Sequence, residues 1–320
     1  MEACEQSRPD NAVLAGTDTE RALVFQIVHG SFVDGPGIRT TIFLKGCPLS
    51  CLWCCNPEGQ AQCPELKVTA TLCNGCGNCL EVCSTAAIAL TDNADPVVVD
   101  RALCTGCLMC VEVCHAGALD RYGVWYTVDE LFAIAKKDEQ YYGVSGGGVT
   151  IGGGEPTLQS RFVRAFVRKC REHYIHTALD TCGYTVNEEG LRALQEADMV
   201  LFDIKGLDPD QHFVDTAVSN ETILRNLKHL SDLGKPIIVR MPLIPGHNVS
   251  DRQVSAAAQF MAGLPSLERV DLMAYHRYGT VKYGQLGRAY GLTVPSLPDN
   301  KVDHIKQILE NHGLRVQIGG

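Results

Sequence analysis

Cys47, Cys51 and Cys54 stand in the pattern C-x3-C-x2-C, directly after a strand-like run at residues 39–45. Three thiolates in one loop can hold three corners of a four-iron cubane. The pattern supplies no fourth ligand, which leaves one iron open. An open position is what separates a catalytic metal site from a structural one. A structural zinc site would take four protein ligands in two pairs, and this loop fits that poorly.

A second cysteine pattern occurs twice. Cys73, Cys76, Cys79 and Cys83 follow C-x2-C-x2-C-x3-C, and Cys104, Cys107, Cys110 and Cys114 repeat it. The duplication matches two-cluster bacterial ferredoxins, in which the fourth cysteine of each run ligates the other cluster. It therefore pairs Cys73, Cys76 and Cys79 with Cys114, and Cys104, Cys107 and Cys110 with Cys83. The proline that usually follows the fourth cysteine is replaced by Ser84 and His115. Two equal runs suit two cubanes better than zinc. Cys4, Cys63, Cys170 and Cys182 belong to no motif and read as inert thiols.

The remaining candidates are polar groups near strand ends. Gly152, Gly153, Gly154 and Glu155 follow a short strand at 149–151. Glycines let a backbone approach a ligand closely, and Glu155 could steady a positive charge. The plain alternative is an ordinary glycine turn, and no phosphate-loop or dinucleotide fingerprint occurs in the chain. Asp180-Thr181 ends one predicted strand and Asp203-Ile204-Lys205 the next. A lysine there can pair with a ligand carboxylate, or the charges can form a structural ion pair. Arg240 and His276 end the two strands after that. Asp34-Gly35-Pro36-Gly37 reads as a tight turn.

These residues need a frame. The 320-residue chain is 45% hydrophobic, enough for a real core. Strand signals at 22–28, 39–45, 149–151, 177–180, 199–204, 237–241 and 270–274 interleave with helix signals near 159–173, 222–233, 254–262 and 302–311. Repeated βα units imply a parallel sheet. The expected fold is α/β, an open partial (β/α)6 barrel related to the closed eightfold one, with chemistry at the C-terminal strand ends. Residues 21–60 and 121–320 form that barrel, and 61–120 form an inserted small α+β two-cluster ferredoxin-like domain. Residues 1–20 read as a loose polar tail without the features of a signal peptide. No apolar stretch is long enough for a membrane helix. The net charge of -9 argues against a nucleic-acid partner. Dense cysteine without a secretory signal suits a reducing, cytoplasmic setting.

With its cysteine triad, the chain resembles the radical SAM superfamily. The stretch 34–41, followed by 43–48 and 56–58, narrows this to the activating enzymes of glycyl radical enzymes, as in pyruvate formate-lyase activation. The resemblance runs from about residue 25 almost to the end, and the insert marks the longer members. Cys55 departs from it, since relatives often carry His there.

The resemblance implies three [4Fe-4S] clusters and S-adenosylmethionine (SAM), whose amino and carboxylate groups would chelate the open iron at Cys47, Cys51 and Cys54. Gly153, Gly154 and Glu155 would meet the SAM amino group. Asp180, Thr181, Asp203 and Lys205 would serve SAM and, in some members, a monovalent cation. Arg240 and His276 would lie near SAM, His276 at the ribose, and Trp53 near the adenine unless it is a plain core residue. Asp34, Gly35, Pro36 and Gly37 would face the glycyl loop of the partner. Flavodoxin or ferredoxin would supply the electron. The reaction implied is reductive SAM cleavage to methionine and a 5′-deoxyadenosyl radical, which abstracts a Cα hydrogen from a partner glycine. The partner is expected to be an arylacetate decarboxylase or another C–C or C–heteroatom lyase. Two rivals remain: a radical SAM enzyme acting on a small molecule, and an electron-transfer protein built on the two-cluster insert.

Overall fold

The computed structural model describes residues 20–319. Cys4 and the tail expected at 1–20, Glu20 excepted, lie outside the described residues. The strands among the described residues are β1 (Arg21–Ser31), β2 (Arg39–Leu44), β3 (Glu65–Val68), β4 (Ile88–Leu90), β5 (Val97–Val99), β6 (Leu119–Tyr122), β7 (Val124–Thr127), β8 (Gly148–Gly153), β9 (Thr177–Thr181), β10 (Met199–Asp203), β11 (Ile237–Leu243), β12 (Leu267–Ala274) and β13 (Val316–Ile318).

Nine of them form one sheet in the order β13-β12-β11-β10-β9-β8-β2-β1-β7. From β2 through β13 every pairing is parallel. β1 and β7 extend the edge antiparallel. The architecture is therefore α/β with a mostly parallel sheet. Parallel strands are covered on both faces, which is why they read as continuous apolar runs. Val149, Ile151, Leu179, Val200, Phe202, Ile237, Val239, Val270 and Leu272 are all fully buried.

The covering helices follow amphipathic spacing. In the helix Ser160–Glu172, Phe162, Val163, Phe166, Val167 and Cys170 face inward. Asp251–Ala262 starts with a capping box between Ser250 and Gln253. Outside the cysteine-rich segment, five helices among the described residues escaped the periodicity reading: Val128–Ala135, Glu139–Ser145, Glu188–Glu196, Pro209–Thr216 and Thr280–Gln285. They are short, and three are announced by their caps rather than by an apolar stripe. Thr127 makes a capping box with Glu130, Asn187 accepts from the Gly190 N–H, and Asp208 accepts from the Asp210 and Gln211 N–H groups.

The cysteine-rich segment builds its own small unit. β3 pairs with β6 and β4 with β5, both antiparallel. Its apolar centre is Leu66, Ile88, Val97, Ala118 and Leu119, joined by Cys79 and Cys110. The chain leaves this unit through Gly123, at φ +111°, and enters β7 at once. A Cβ on Gly123 would stand 2.7 Å from the Lys45 Cδ.

Two expected placements change. β11 runs on to Leu243, so Arg240 sits inside the strand rather than at its end. Residues 34–37 precede β2 and so lie at its N-terminal end, away from the cysteine loop. There they tuck inward, since the Arg240 Nη2 donates to the Val33 carbonyl at 3.0 Å and the Thr150 hydroxyl to the Asp34 carbonyl at 2.6 Å.

Candidate active site

The cysteine loop leaves β2 at Leu44 and is pinned along its length. The Gly46 and Cys47 N–H groups donate to the Gly59 and Gln60 carbonyls at 2.8 and 3.0 Å. The Ser50 and Leu52 N–H groups donate to the Thr216 and Asp215 carbonyls at 2.8 and 3.0 Å, at the C-terminal end of the helix Pro209–Thr216. The Tyr283 hydroxyl donates to the Cys54 carbonyl at 3.2 Å. Before the loop, Lys45 is fully buried and binds the Glu58 carbonyl and the Glu65 carboxylate.

The three thiols are half-buried. Burial pushes Cys51 up to about 12 and raises Cys54 as well. Thiolates in such a place need a cation to offset desolvation, and ligated iron supplies one. Cys47 differs. Its sulfur accepts a hydrogen bond from Cys182, which lowers its pKa against the opposing effect of burial. Cys182, an inert thiol by the sequence reading, therefore touches the triad. Its place just after Thr181 was visible in the sequence, but its proximity to Cys47 arises only from the sheet order.

The glycine loop after β8 lies directly on this loop. The Gly154 N–H donates to the Leu44 carbonyl at 2.7 Å, and the Glu155 N–H to the Gly46 carbonyl at 2.6 Å. A Cβ on Gly154 would stand 2.1 Å from the Gly46 carbonyl oxygen and 2.7 Å from that of Gly59. Gly153 has φ +101°, a conformation that favours glycine.

The Glu155 carboxylate corrects an expectation. It accepts the Thr181 hydroxyl on either oxygen at 2.8 Å, the Cys182 N–H at 2.8 Å and the Thr157 N–H at 3.0 Å. Its exposure is 0%. The side chain is a brace between the β8 loop and the end of β9, not an open partner for a ligand's charge. The Thr181 hydroxyl is committed to that brace and also accepts the Gly183 N–H.

A group of charges lies on the same face of the sheet. The Arg240 guanidinium holds Asp180 at 2.9 Å and reaches Asp34 at 3.8 Å. Lys205 holds Asp203 at 2.6 Å. Burial, together with Asp203 and Asp34, pushes Asp180 up to about 7 despite Arg240. Burial alone would lower Arg240 and Lys205. The neighbouring carboxylates outweigh it, and both remain firmly charged. Cys51 and Cys182 also act on Lys205, which places its ammonium near the triad.

The other expected residues spread out. Trp53 is buried with Ile244, Tyr275 and Leu292 in a satellite cluster, as a core tryptophan would be. His276 is exposed beyond β12 and stacks on Tyr278 at 4.5 Å. Asp34 is buried and accepts the Ser31 and Thr41 hydroxyls, and Gly35 is buried with it. The exposed residues beside them are Phe32 and Val33, at 71% and 53%. Sequence reasoning also missed Arg39. It is fully buried, and it binds Thr150 and the Pro36 and Val149 carbonyls, fixing the 34–37 turn.

In the inserted unit the eight cysteines ring two cavities. One is lined by Cys73, Cys76, Cys79 and Cys114. The other is lined by Cys83, Cys104, Cys107 and Cys110. These are the sets paired from the duplicated spacing. Among the described residues, no three His, Cys, Asp or Glu side chains converge as a single metal ion requires. Cysteines spaced around a void suit a multi-iron cluster better than one ion.

The model of the radical SAM superfamily matches residues 103–257, and that of the 4Fe-4S dicluster domain matches 72–118. The isethionate sulfite-lyase activating enzyme of Desulfovibrio desulfuricans is 40% identical over 307 residues, 94% of this chain and 98% of its own. The trans-4-hydroxy-L-proline dehydratase activating enzyme of Clostridioides difficile is 40% identical over 302 residues, 93% and 99% of the two chains. The 4-hydroxyphenylacetate decarboxylase activating enzyme of Clostridium scatologenes is 34% identical over 307 residues, 94% and 98%.

The contact at Gly154 yields a prediction. Gly154→Ala forces the cysteine loop off the glycine loop, while the inserted unit is untouched. Anaerobic reconstitution should then load about 4 fewer irons per chain than the unaltered protein, the content of one cubane. Iron and sulfide analysis reads this directly, and full loading would show that the close contact is dispensable.

Proposed function

This chain belongs to the activating enzymes of glycyl radical enzymes in the radical SAM superfamily, and from that premise we propose how its own residues serve the reaction. The observation that carries the reading is the cysteine triad at the end of β2, pressed against the glycine loop after β8. Cys47, Cys51 and Cys54 would hold a [4Fe-4S] cluster with one open iron. When bound, that cluster supplies one electron to the SAM sulfonium, which yields methionine and a 5′-deoxyadenosyl radical that takes the Cα hydrogen of a partner glycine.

The backbone of Gly153 and Gly154 would lie beside the SAM amino group, and Glu155 would hold that loop in place. Lys205 would meet the SAM carboxylate. Asp180, Asp203 and Arg240 would set the charge of the pocket, with Asp180, Asp203 and Thr181 as candidate neighbours for a monovalent cation. His276 would need to swing inward to reach the ribose, and Trp53 would back the adenine side from its apolar cluster. The triad is half-buried, and bound SAM would close the site further against water, which protects a radical from side reactions.

The finer fold reading is an open partial barrel over 21–60 and 121–320. A ferredoxin-like insert over 61–120 would hold two further clusters, three in all. The duplicated cysteine runs and the two ringed cavities support it. No helix among the described residues is long and apolar enough to cross a membrane, and a cytoplasmic setting with flavodoxin or ferredoxin as reductant is consistent with the composition. The turn Asp34–Gly37 would approach the partner together with the exposed Phe32 and Val33. The partner would be a lyase of the kinds the relatives activate. C–S cleavage and dehydration are represented at 40% identity and arylacetate decarboxylation at 34%.

Two experiments test this reading. The reconstituted and reduced protein should release 5′-deoxyadenosine from SAM, and Cys51→Ala should abolish release. Undiminished release in that variant would refute the assignment of the triad. SAM affinity should rise between about pH 6 and about pH 8 as Asp180 ionises, since a cationic ligand prefers the carboxylate, by up to about tenfold per unit below its pKa. Asp180→Asn should flatten that dependence, and an unchanged slope would remove Asp180 from the pocket.

A further inference from the structure

The helix Thr280–Gln285 stands between the cysteine loop and the inserted unit and touches both. On one side, the Tyr283 hydroxyl donates to the Cys54 carbonyl at 3.2 Å. Lys282 binds Asn56 and the buried Glu58 carboxylate just beyond the loop. Gly279 packs so closely on the Cys55 backbone that a Cβ there would come within 2.8 Å.

On the other side, the Gln285 carbonyl accepts from the Arg101 Nη2 at 2.9 Å, and the Tyr122 hydroxyl donates to the Gln285 Oε1 at 2.5 Å. The Arg101 Nη1 donates in turn to the Leu66 carbonyl at 2.9 Å. Leu66 lines the cavity ringed by Cys83, Cys104, Cys107 and Cys110. Arg101 lies three residues before Cys104, and its guanidinium feels the charges of Cys104 and Cys110. The other cysteine set is linked through backbone alone, without a charged side chain beside its thiols: the Thr69 N–H donates at 2.7 Å to the carbonyl of Ala118, which lines that cavity. Gln285 also reaches the Thr69 hydroxyl at 3.2 Å. Cys73 comes four residues later, past the turn Ala70–Leu72, where Leu72 is 53% exposed.

We propose that Arg101, Gln285 and Tyr283 make the Cys83/Cys104/Cys107/Cys110 set the inner of the two insert sites and form the bridge by which electrons pass from it to the cysteine triad, with the Cys73/Cys76/Cys79/Cys114 set outermost. The proposal rests on the three-cubane reading above. A low-potential one-electron donor fills the outer site, each transfer oxidises one site and reduces the next by one electron, and one electron is consumed for each SAM carbon–sulfur bond broken.

The test uses the full reconstituted chain, reduced with dithionite, freed of excess reductant and mixed with SAM. Wild type should release about three 5′-deoxyadenosines per chain, one for each reduced cubane, each radical taking its hydrogen atom from a C–H donor such as glycerol in the buffer. Cys76→Ala, lacking the outer site, should release about two, and Cys107→Ala, lacking the inner one, about one, with iron analysis near 8 per chain in each variant. The spectroscopic readout is independent of turnover. After SAM, the reduced-cluster EPR signal should vanish in wild type and in Cys76→Ala, and one stranded signal should survive in Cys107→Ala. Arg101→Ala, which keeps every cysteine, should slow the loss of the insert signals without changing the first release. A stranded signal in Cys76→Ala instead, or in neither variant, overturns the order. Insert signals that survive in wild type overturn the relay, and unchanged decay in Arg101→Ala overturns the bridge. Iron well below 12 in wild type, or no first release, would instead strike the underlying cluster reading.

Discussion

The Gly154 and Glu155 N–H groups donate to carbonyls of the β2 end and of the loop that carries the triad, at 2.7 and 2.6 Å. This contact is short because neither chain interposes a side chain. Parallel pairing of β2 with β8 brings the two strand ends side by side, and glycine lets them touch. The rest of the site hangs from that seam. Glu155 carries it across to β9 through Thr181 and Cys182, and Cys182 in turn reaches back to Cys47. The helix end at Thr216 and the Tyr283 hydroxyl hold the far side of the loop.

Charge is arranged with similar economy. Arg39, Lys45, Glu155 and Arg240 are all nearly or fully buried, and each has its partners. Breaking such a pair leaves an uncompensated buried charge. Arg39 and Lys45 serve the frame, one fixing the turn before β2 and the other joining its end to the inserted unit through Glu65. Asp180 is less settled, since three carboxylates crowd around Arg240 and burial disfavours its charge.

Much of this was legible in the sequence. The cysteine spacings placed Cys47, Cys51 and Cys54 together, because local spacing alone decides which thiols share a loop. The six interior parallel strands were legible as apolar runs. What stayed hidden depends on contacts between distant segments. The sequence could not say that Glu155 is spent on Thr181 and Cys182, that Cys182 lies on Cys47, or that Arg240 sits inside its strand. Short capped helices such as Pro209–Thr216 were lost because they bury few residues, although that helix end anchors the cysteine loop. The role of Thr280–Gln285 emerges only once the inserted unit folds back against it.

The most direct test of the central claim follows the hydrogen atom. The reduced enzyme would be mixed with SAM and its glycyl radical partner, produced with deuterated glycine. A glycyl radical signal on the partner, with deuterium transferred to 5′-deoxyadenosine, is the predicted result. SAM cleavage in the partner's presence with no glycyl radical and no deuterium transfer would contradict the account.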